Sequence, residues 1–186
     1  IPIFIPHMGC PNQCVFCNQR TISGVEEFSP NSIINIIEEA LLNKSKNAKA
    51  EIAFFGGSFT GIDRALMIEL LELAESYVNR GEVSQIRLST RPDYIDDEIL
   101  DILSRYSVKI IELGLQSLND EVLCAAKRGH DTKTAIEACR LIKKRGFSLI
   151  GQMMIGLPSA CTEDEIRTAE LICELSADGA RVYPTV

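Results

Sequence analysis

Apolar and polar positions along the chain follow two alternating rhythms. Short runs rich in Ile, Val, Leu and Phe fall near 2–6, 50–55, 84–89, 108–115, 147–155 and 179–183, and their brevity and β-branched content predict strands. Between them, stretches near 30–43, 63–79, 96–106, 131–145 and 162–176 place apolar residues three and four apart, which predicts amphipathic helices. From Asp63 onward, Leu66, Leu70, Leu73 and Tyr77 form one stripe expected to face a sheet, and Gly81 ends that helix. Ser29-Pro30 predicts an N-cap with a first-turn proline, and Thr162-Glu163-Asp164-Glu165 a capping box. Strands alternating with crossover helices build a parallel sheet. Six such units suit an open, three-quarter barrel better than a closed eightfold one. The expected fold is therefore α/β, a partial (β/α)6 barrel of parallel strands with a wide mouth at their C-terminal ends.

Composition narrows the setting. With 46% hydrophobic and 24% charged residues, a chain of 186 residues supports one core, and residues 1–186 are expected to form one domain. The chain begins on a strand without methionine and stops at Val186 just after the sixth, so it is expected to be a fragment of a longer protein lacking its C-terminal part. No apolar run approaches the ~18 residues of a membrane span, and the opening segment lacks the basic flank of a signal peptide. The expectation is a cytoplasmic protein with no membrane partner. Seven cysteines without a disulfide-framework spacing suit a reducing compartment, with Cys139 and Cys173 expected on buried helix faces and Cys124 and Cys161 unassigned. A net charge of −7 argues against a generic phosphate-binding surface but leaves RNA open as a specific substrate. Lys143-Lys144-Arg145 reads as a solvated helix end.

The chemistry concentrates in the loop after the first strand. Cys10, Cys14 and Cys17 leave spacings of three and then two residues, so one short loop can present three thiolates to one metal centre. A structural zinc or a fully ligated iron–sulfur cluster takes four protein ligands, whereas three leave one iron of a 4Fe-4S cluster open. From these residues alone, a zinc loop completed by His7 or His130 is the alternative. The string CxxxCxxC with an aromatic residue, here Phe16, before the last cysteine resembles the signature of the radical S-adenosylmethionine (SAM) superfamily. That resemblance implies the same partial barrel, a 4Fe-4S cluster on Cys10, Cys14 and Cys17, and SAM as cofactor.

Further strings extend the resemblance in order along nearly the whole chain. Gly56-Gly57-Ser58 follows the second strand and is similar to the glycine-rich turn that holds the SAM methionine amino group, with Ser58 where an acidic residue is usual. Thr90-Arg91-Pro92-Asp93-Tyr94, Gly114-Leu115-Gln116-Ser117, Arg128-Gly129-His130 and Met153-Met154 with Leu157-Pro158 resemble the elongator complex protein 3 branch. The oxygen-independent coproporphyrinogen III oxidase branch shares the positions of Gln116, Arg128 and Gly156-Leu157-Pro158. By analogy Gln116 and Arg128 would contact the SAM carboxylate or ribose. Gln152 stands where that branch has an aspartate, and Ser89 where both commonly have a glutamate. His7 and His130 are expected to be structural, and Met153 and Met154 to pack in and around the barrel.

The implied reaction is reductive cleavage of SAM to a 5'-deoxyadenosyl radical, with electrons from a reductase, flavodoxin or ferredoxin. The elongator-like strings imply a tRNA wobble uridine as substrate and acetyl-CoA as second reactant, although no acetyltransferase domain is present in these residues. Two alternatives are a small-molecule substrate such as a porphyrinogen, and a zinc or iron–sulfur module without radical chemistry. Strand parity adds one geometric expectation. If Gln116 faces the barrel interior, so do Gly114, Glu112 and Ile110, while Ser89 brings Arg87 and Gln85 inside on the neighbouring strand. A buried carboxylate requires a counter-charge, so Arg87 and Glu112 are expected to pair beneath the cofactor.

Overall fold

Six parallel strands lie side by side in chain order: β1 (Pro2–Ile5), β2 (Ile52–Gly56), β3 (Ile86–Thr90), β4 (Val108–Gln116), β5 (Ser148–Ile155) and β6 (Gly179–Pro184). This computed structural model describes residues 1–5, 10–11, 13–17, 30–45 and 48–185. Each strand pairs only with its neighbours in sequence, and among the described residues no ladder joins β6 back to β1. The sheet is an unclosed barrel wall. The helices α1 (Pro30–Leu42), α2 (Arg64–Asn79), α3 (Asp97–Leu103), α4 (Asp120–Ala125), α5 (Thr132–Lys144) and α6 (Thr162–Glu174) fall between the strands. No helix among the described residues is long and apolar enough to cross a membrane.

One face of every strand from β1 to β5 is apolar, and the periodicity explains why. Ile3, Ile5, Ile52, Phe54, Ile86, Leu88, Ile111, Leu113, Leu115, Leu149 and Met153 are all buried. They merge with Ile33 and Ile37 of α1, Leu70 and Leu71 of α2, Leu100 of α3 and Ile142 of α5 into one core between sheet and helices. Burying each such side chain contributes roughly 1.5–3 kcal/mol, so this layer dominates stability. Gly151 of β5 admits a close helix approach, since a Cβ there would lie 2.9 Å from Ile172 of α6. The opposite faces carry Arg87, Ser89, Glu112, Gly114, Gln152 and Arg181, which line the inside of the curve.

Local details differ from the sequence expectations in five places. The buried stripe of α2 centres on Met67, Leu70, Leu71, Ala74 and Tyr77, with Leu66 and Leu73 at its margins. The helix expected over 96–106 ends at Leu103, because Arg105 and Tyr106 turn their N–H groups to the carbonyls of Ile102 and Leu103. The short α4 was not anticipated; Asn119 caps it by accepting from the N–H groups of Glu121 and Val122. The capping box of α6 sits one residue earlier than expected, with Cys161 at the cap and Asp164 accepting from its N–H and its thiol. Glu165 instead accepts from the N–H of Gly156. Cys173 is exposed, since the buried face of α6 is set by Thr168 and Ile172, whereas Cys139 is buried and its thiol is pushed up to about 12 by burial. The expected cap at Ser29 lies outside the described residues.

Candidate active site

The C-terminal ends of β2 to β5 converge on a cavity of about 770 Å³, within the roughly 300–1,000 Å³ of small-molecule sites. Cys10, Cys14 and Cys17 all line it. Their loop is fastened from below: Val15 donates its N–H to the carbonyl of Ala126, and Phe16 packs on a cluster of Val122, Ala126 and Leu157. The aromatic residue ahead of the last cysteine thus anchors the loop as well as lining the cavity. Cys14 is buried, Cys10 half-buried and Cys17 exposed. Among the described residues no three His, Cys, Asp or Glu side chains are already gathered as a metal ion would hold them.

Two glycines at the end of β2 do different work. Gly56 has φ +113°, and a Cβ there would meet the Ile5 carbonyl oxygen at 2.5 Å, so it is glycine because β1 passes so close. Gly57 donates its N–H to that same carbonyl at 3.0 Å, and both glycines line the cavity. Ser58 departs from the expectation placed on it. It is fully buried and outside the cavity lining, and its hydroxyl is engaged with Thr90 at 2.8 Å and with the Arg91 N–H at 3.3 Å. Those bonds fasten the turn after β2 to the end of β3, which is a structural task. Ser89 lines the cavity from the inner face of β3.

Gln116 reaches the cavity through an irregularity. The β4–β5 register runs from Gly114 opposite Gln152 directly to Gln116 opposite Met153, skipping Leu115, and Gln116 adopts φ +69°. Simple alternation puts Gln116 on the face of Gly114, and across the skipped residue its side chain still lines the same cavity as Gly114. Its Nε2 lies 3.0 Å from where a Gly114 Cβ would stand. Its Oε1 is buried and accepts no hydrogen bond from the described residues. Arg128 arrives over the same glycine from the turn closing α4, where Lys127 takes φ +55° and the Arg128 N–H bonds the Leu123 carbonyl. Its guanidinium donates to the Gly114 carbonyl at 2.7 Å and to the Cys14 sulfur at 3.7 Å. Burial, reinforced by nearby Arg91, pulls its pKa down. Gln152 completes the wall from β5.

Arg91 is one of the cavity residues to which the sequence assigned no role. It is 2% exposed and donates from Nε and Nη2 to the two carboxylate oxygens of Asp93, at 2.9 and 3.0 Å, and from Nη2 to the Arg128 carbonyl at 2.7 Å. The signal was present as an arginine directly after a strand in a parallel sheet, where ligand-facing residues gather. Burial pushes the Cys10 thiol pKa up, with Arg91 and then Arg128 opposing it. His130, the proposed fourth ligand of a zinc loop, is not part of the cavity wall. Its Nδ1 lies 3.9 Å from Asp93, and burial, with Arg128 adding, lowers its pKa to about 4. His7 lies outside the described residues.

Beneath the cavity the inner faces carry the expected ion pair. Arg87 donates to Glu112, whose side chain is 1% exposed, and also to Glu51 at 2.9 Å. Gln85 joins Glu51 at 2.8 Å. Glu51 is held below the usual carboxylate range because the hydrogen bonds from Arg87 and Gln85 outweigh the burial that opposes them. Arg181 of β6 was not foreseen: its Nε stands 3.2 Å from the second oxygen of Glu112, and its guanidinium lies 5.6 Å from the Phe55 ring centroid on β2. One side chain therefore reaches across the inside of the curve.

Comparison with known proteins places this arrangement. An uncharacterized protein of Methanocaldococcus jannaschii is 30% identical over the whole of this chain, which spans 60% of that protein. Elongator complex protein 3 of Schizosaccharomyces pombe is 36% identical over 104 residues, 54% of this chain and 19% of that one. The solved structure of coproporphyrinogen III oxidase from Escherichia coli superposes with a TM-score of 0.70 at 20% identity, covering 100% of this chain and 43% of that one. The chain thus spans three fifths or less of these relatives' length. Residues 4–172 match the radical SAM superfamily, and the chain belongs to that superfamily of enzymes, whose membership implies SAM and a 4Fe-4S cluster as cofactors.

Proposed function

We propose that this chain is the catalytic core of a radical SAM enzyme in which Cys10, Cys14 and Cys17 hold the cluster and SAM lies across the ends of β2 to β5. The observation that carries this is the convergence of all three thiols with Gly57, Ser89, Gln116, Arg128 and Gln152 on one cavity. The residues suit the cofactors. Three thiols leave one iron without a protein ligand. Arg91 and Arg128 oppose the burial that pushes the Cys10 thiol pKa up, and the buried Gln116 Oε1 is an acceptor awaiting a donor such as a ribose hydroxyl or an ammonium group. Bound together, the cofactors supply one-electron cleavage of the sulfonium and a 5'-deoxyadenosyl radical. The protein's own part is to seat them and exclude water: Arg128 reaches Gly114 and Cys14 at once, and Phe16 keeps the cysteine loop closed on its apolar cluster.

For the substrate we propose a tRNA wobble uridine. Support comes from Thr90-Arg91-Pro92-Asp93-Tyr94, Gln116-Ser117 and Arg128-Gly129-His130, and from the identity shared with elongator complex protein 3. The net charge of −7 favours a second reading, a small molecule such as a porphyrinogen, because it leaves little general attraction for phosphates. One series of measurements separates them. Anaerobic reconstitution with ferrous iron and sulfide is expected to load about four irons per chain, and Cys14→Ala to abolish this. Dithionite and SAM then yield 5'-deoxyadenosine in the parent. Zinc in place of iron, or no SAM cleavage, would remove the enzyme assignment. Equal affinity for a tRNA with uridine and one with cytidine at the wobble position would remove the tRNA and leave the small molecule.

A further inference from the structure

Arg91 is more elaborately held than a wall residue needs to be. Its guanidinium is buried beside the cysteine loop and keeps its charge, as arginine does in proteins, with Asp93 as its counter-ion. Asp93 grips Nε and Nη2 in a two-pronged pair that fixes the plane of the group. That leaves Nη1, a buried donor with no acceptor among the described residues. A buried donor without a partner costs about 1–3 kcal/mol, a cost that an acceptor bound beside the cysteine loop would offset. The carboxylate of Asp93 is itself partly in water, with a side chain 26% exposed against 3% for Arg91. Water screens the anion more than the cation, so the pair delivers net positive potential inward, toward the thiols.

We propose that Arg91 sets the reduction potential of the metal centre on Cys10, Cys14 and Cys17, its fixed positive charge and free Nη1–H stabilising the reduced, more negative state. This rests on the cysteine assignment above. The potential of an iron–sulfur centre follows its net charge, the hydrogen bonds to its sulfurs and its exposure to solvent, and Arg91 bears on the first two. The second arginine of the site, Arg128, already donates to the Gly114 carbonyl and the Cys14 sulfur, whereas Arg91 keeps Nη1 without an acceptor among the described residues.

The test uses the full chain, reconstituted anaerobically and titrated by spectroelectrochemistry without SAM, after iron has been counted in every sample. Arg91→Met is expected to keep its iron and to shift the midpoint to more negative potential, with Arg91→Lys recovering most of the difference. Asp93→Asn, which removes the counter-charge and leaves the guanidinium, is expected to shift it the other way. Opposite signs distinguish an electrostatic role from a structural one, since loosening the turn would move both variants together. No shift in Arg91→Met at parental iron content, or shifts of the same sign in the two variants, overturns the proposal. If Arg91→Met binds no iron, the Asp93→Asn shift decides alone: a positive shift supports the proposal and any other result overturns it. A parent chain that binds no iron through Cys14 would instead overturn the cysteine assignment.

Discussion

Two glycines show how one residue type serves two ends. At Gly56 a methyl group would collide with the β1 backbone and sit at φ +113°, so Gly56→Ala is expected to cost ~3 kcal/mol, read as a lower denaturant midpoint. At Gly114 the obstacles are side-chain ends, Arg128 Nη2 at 2.8 Å and Gln116 Nε2 at 3.0 Å, which can swing aside. Gly114→Ala is therefore expected to unfold close to the parent midpoint while weakening SAM binding by about tenfold in calorimetry, or about 1.4 kcal/mol. His130 makes a pH prediction. Its pKa is about 4 in the fold against about 6.5 when unfolded, so the unfolded chain binds the proton more readily in that interval. Its contribution is complete above pH ~6.5 and is lost as pH falls toward 4, by ~3 kcal/mol at most. Unfolding free energies measured across that window should fall less steeply in His130→Gln than in the parent.

At the level of elements, the strands and long helices were legible because burial imposes its period on composition: β1, β3 and β5 alternate plainly, while β2 and β4 are short apolar runs buried over much of both faces. The six-residue α4 spans fewer than two turns, too few for a period to register, and only Asn119-Asp120-Glu121 hinted at a helix start. The skipped Leu115 was not legible, because a register shift is a property of two strands and the sequence displays one at a time. Parity did identify the Arg87–Glu112 pair, because the register shift on β3 falls between Ile86 and Arg87 and the ladder runs in step from Arg87 opposite Ile110 to Ser89 opposite Glu112. It missed Arg181, whose strand is mostly exposed and lacks the alternation that marks an inner face. The cysteines were legible from their spacing and the glycines from their resemblance to a family turn, whereas the engagement of Ser58 with Thr90 was hidden in a contact 32 residues apart. Glu112 answers two guanidiniums, of which Arg87 keeps Glu51 and Arg181 is 40% exposed, so Glu112→Ala should cost about 1.5–3 kcal/mol in denaturant unfolding. Arg87→Met, which leaves Arg181 on Glu112, should cost less.

Over the whole molecule, the cysteine loop lines an open cavity, with Cys17 exposed and, in the proposed assignment, one iron lacking a thiolate. Protein purified in air is therefore expected to carry well under one full cluster per chain, with anaerobic reconstitution restoring it, as iron analysis would show. The unclosed sheet has its own consequence. In a complete barrel, strand number and shear fix the radius. Here, among the described residues, no backbone ladder closes the ring, so girth is an adjustable quantity. Arg181, touching Glu112 on β4 and Phe55 on β2, acts as a tie rod between staves that have no hoop. Cutting it with Arg181→Ala should quicken hydrogen exchange along β6 well beyond that of β3, and leave the bore free to widen around a bulkier guest.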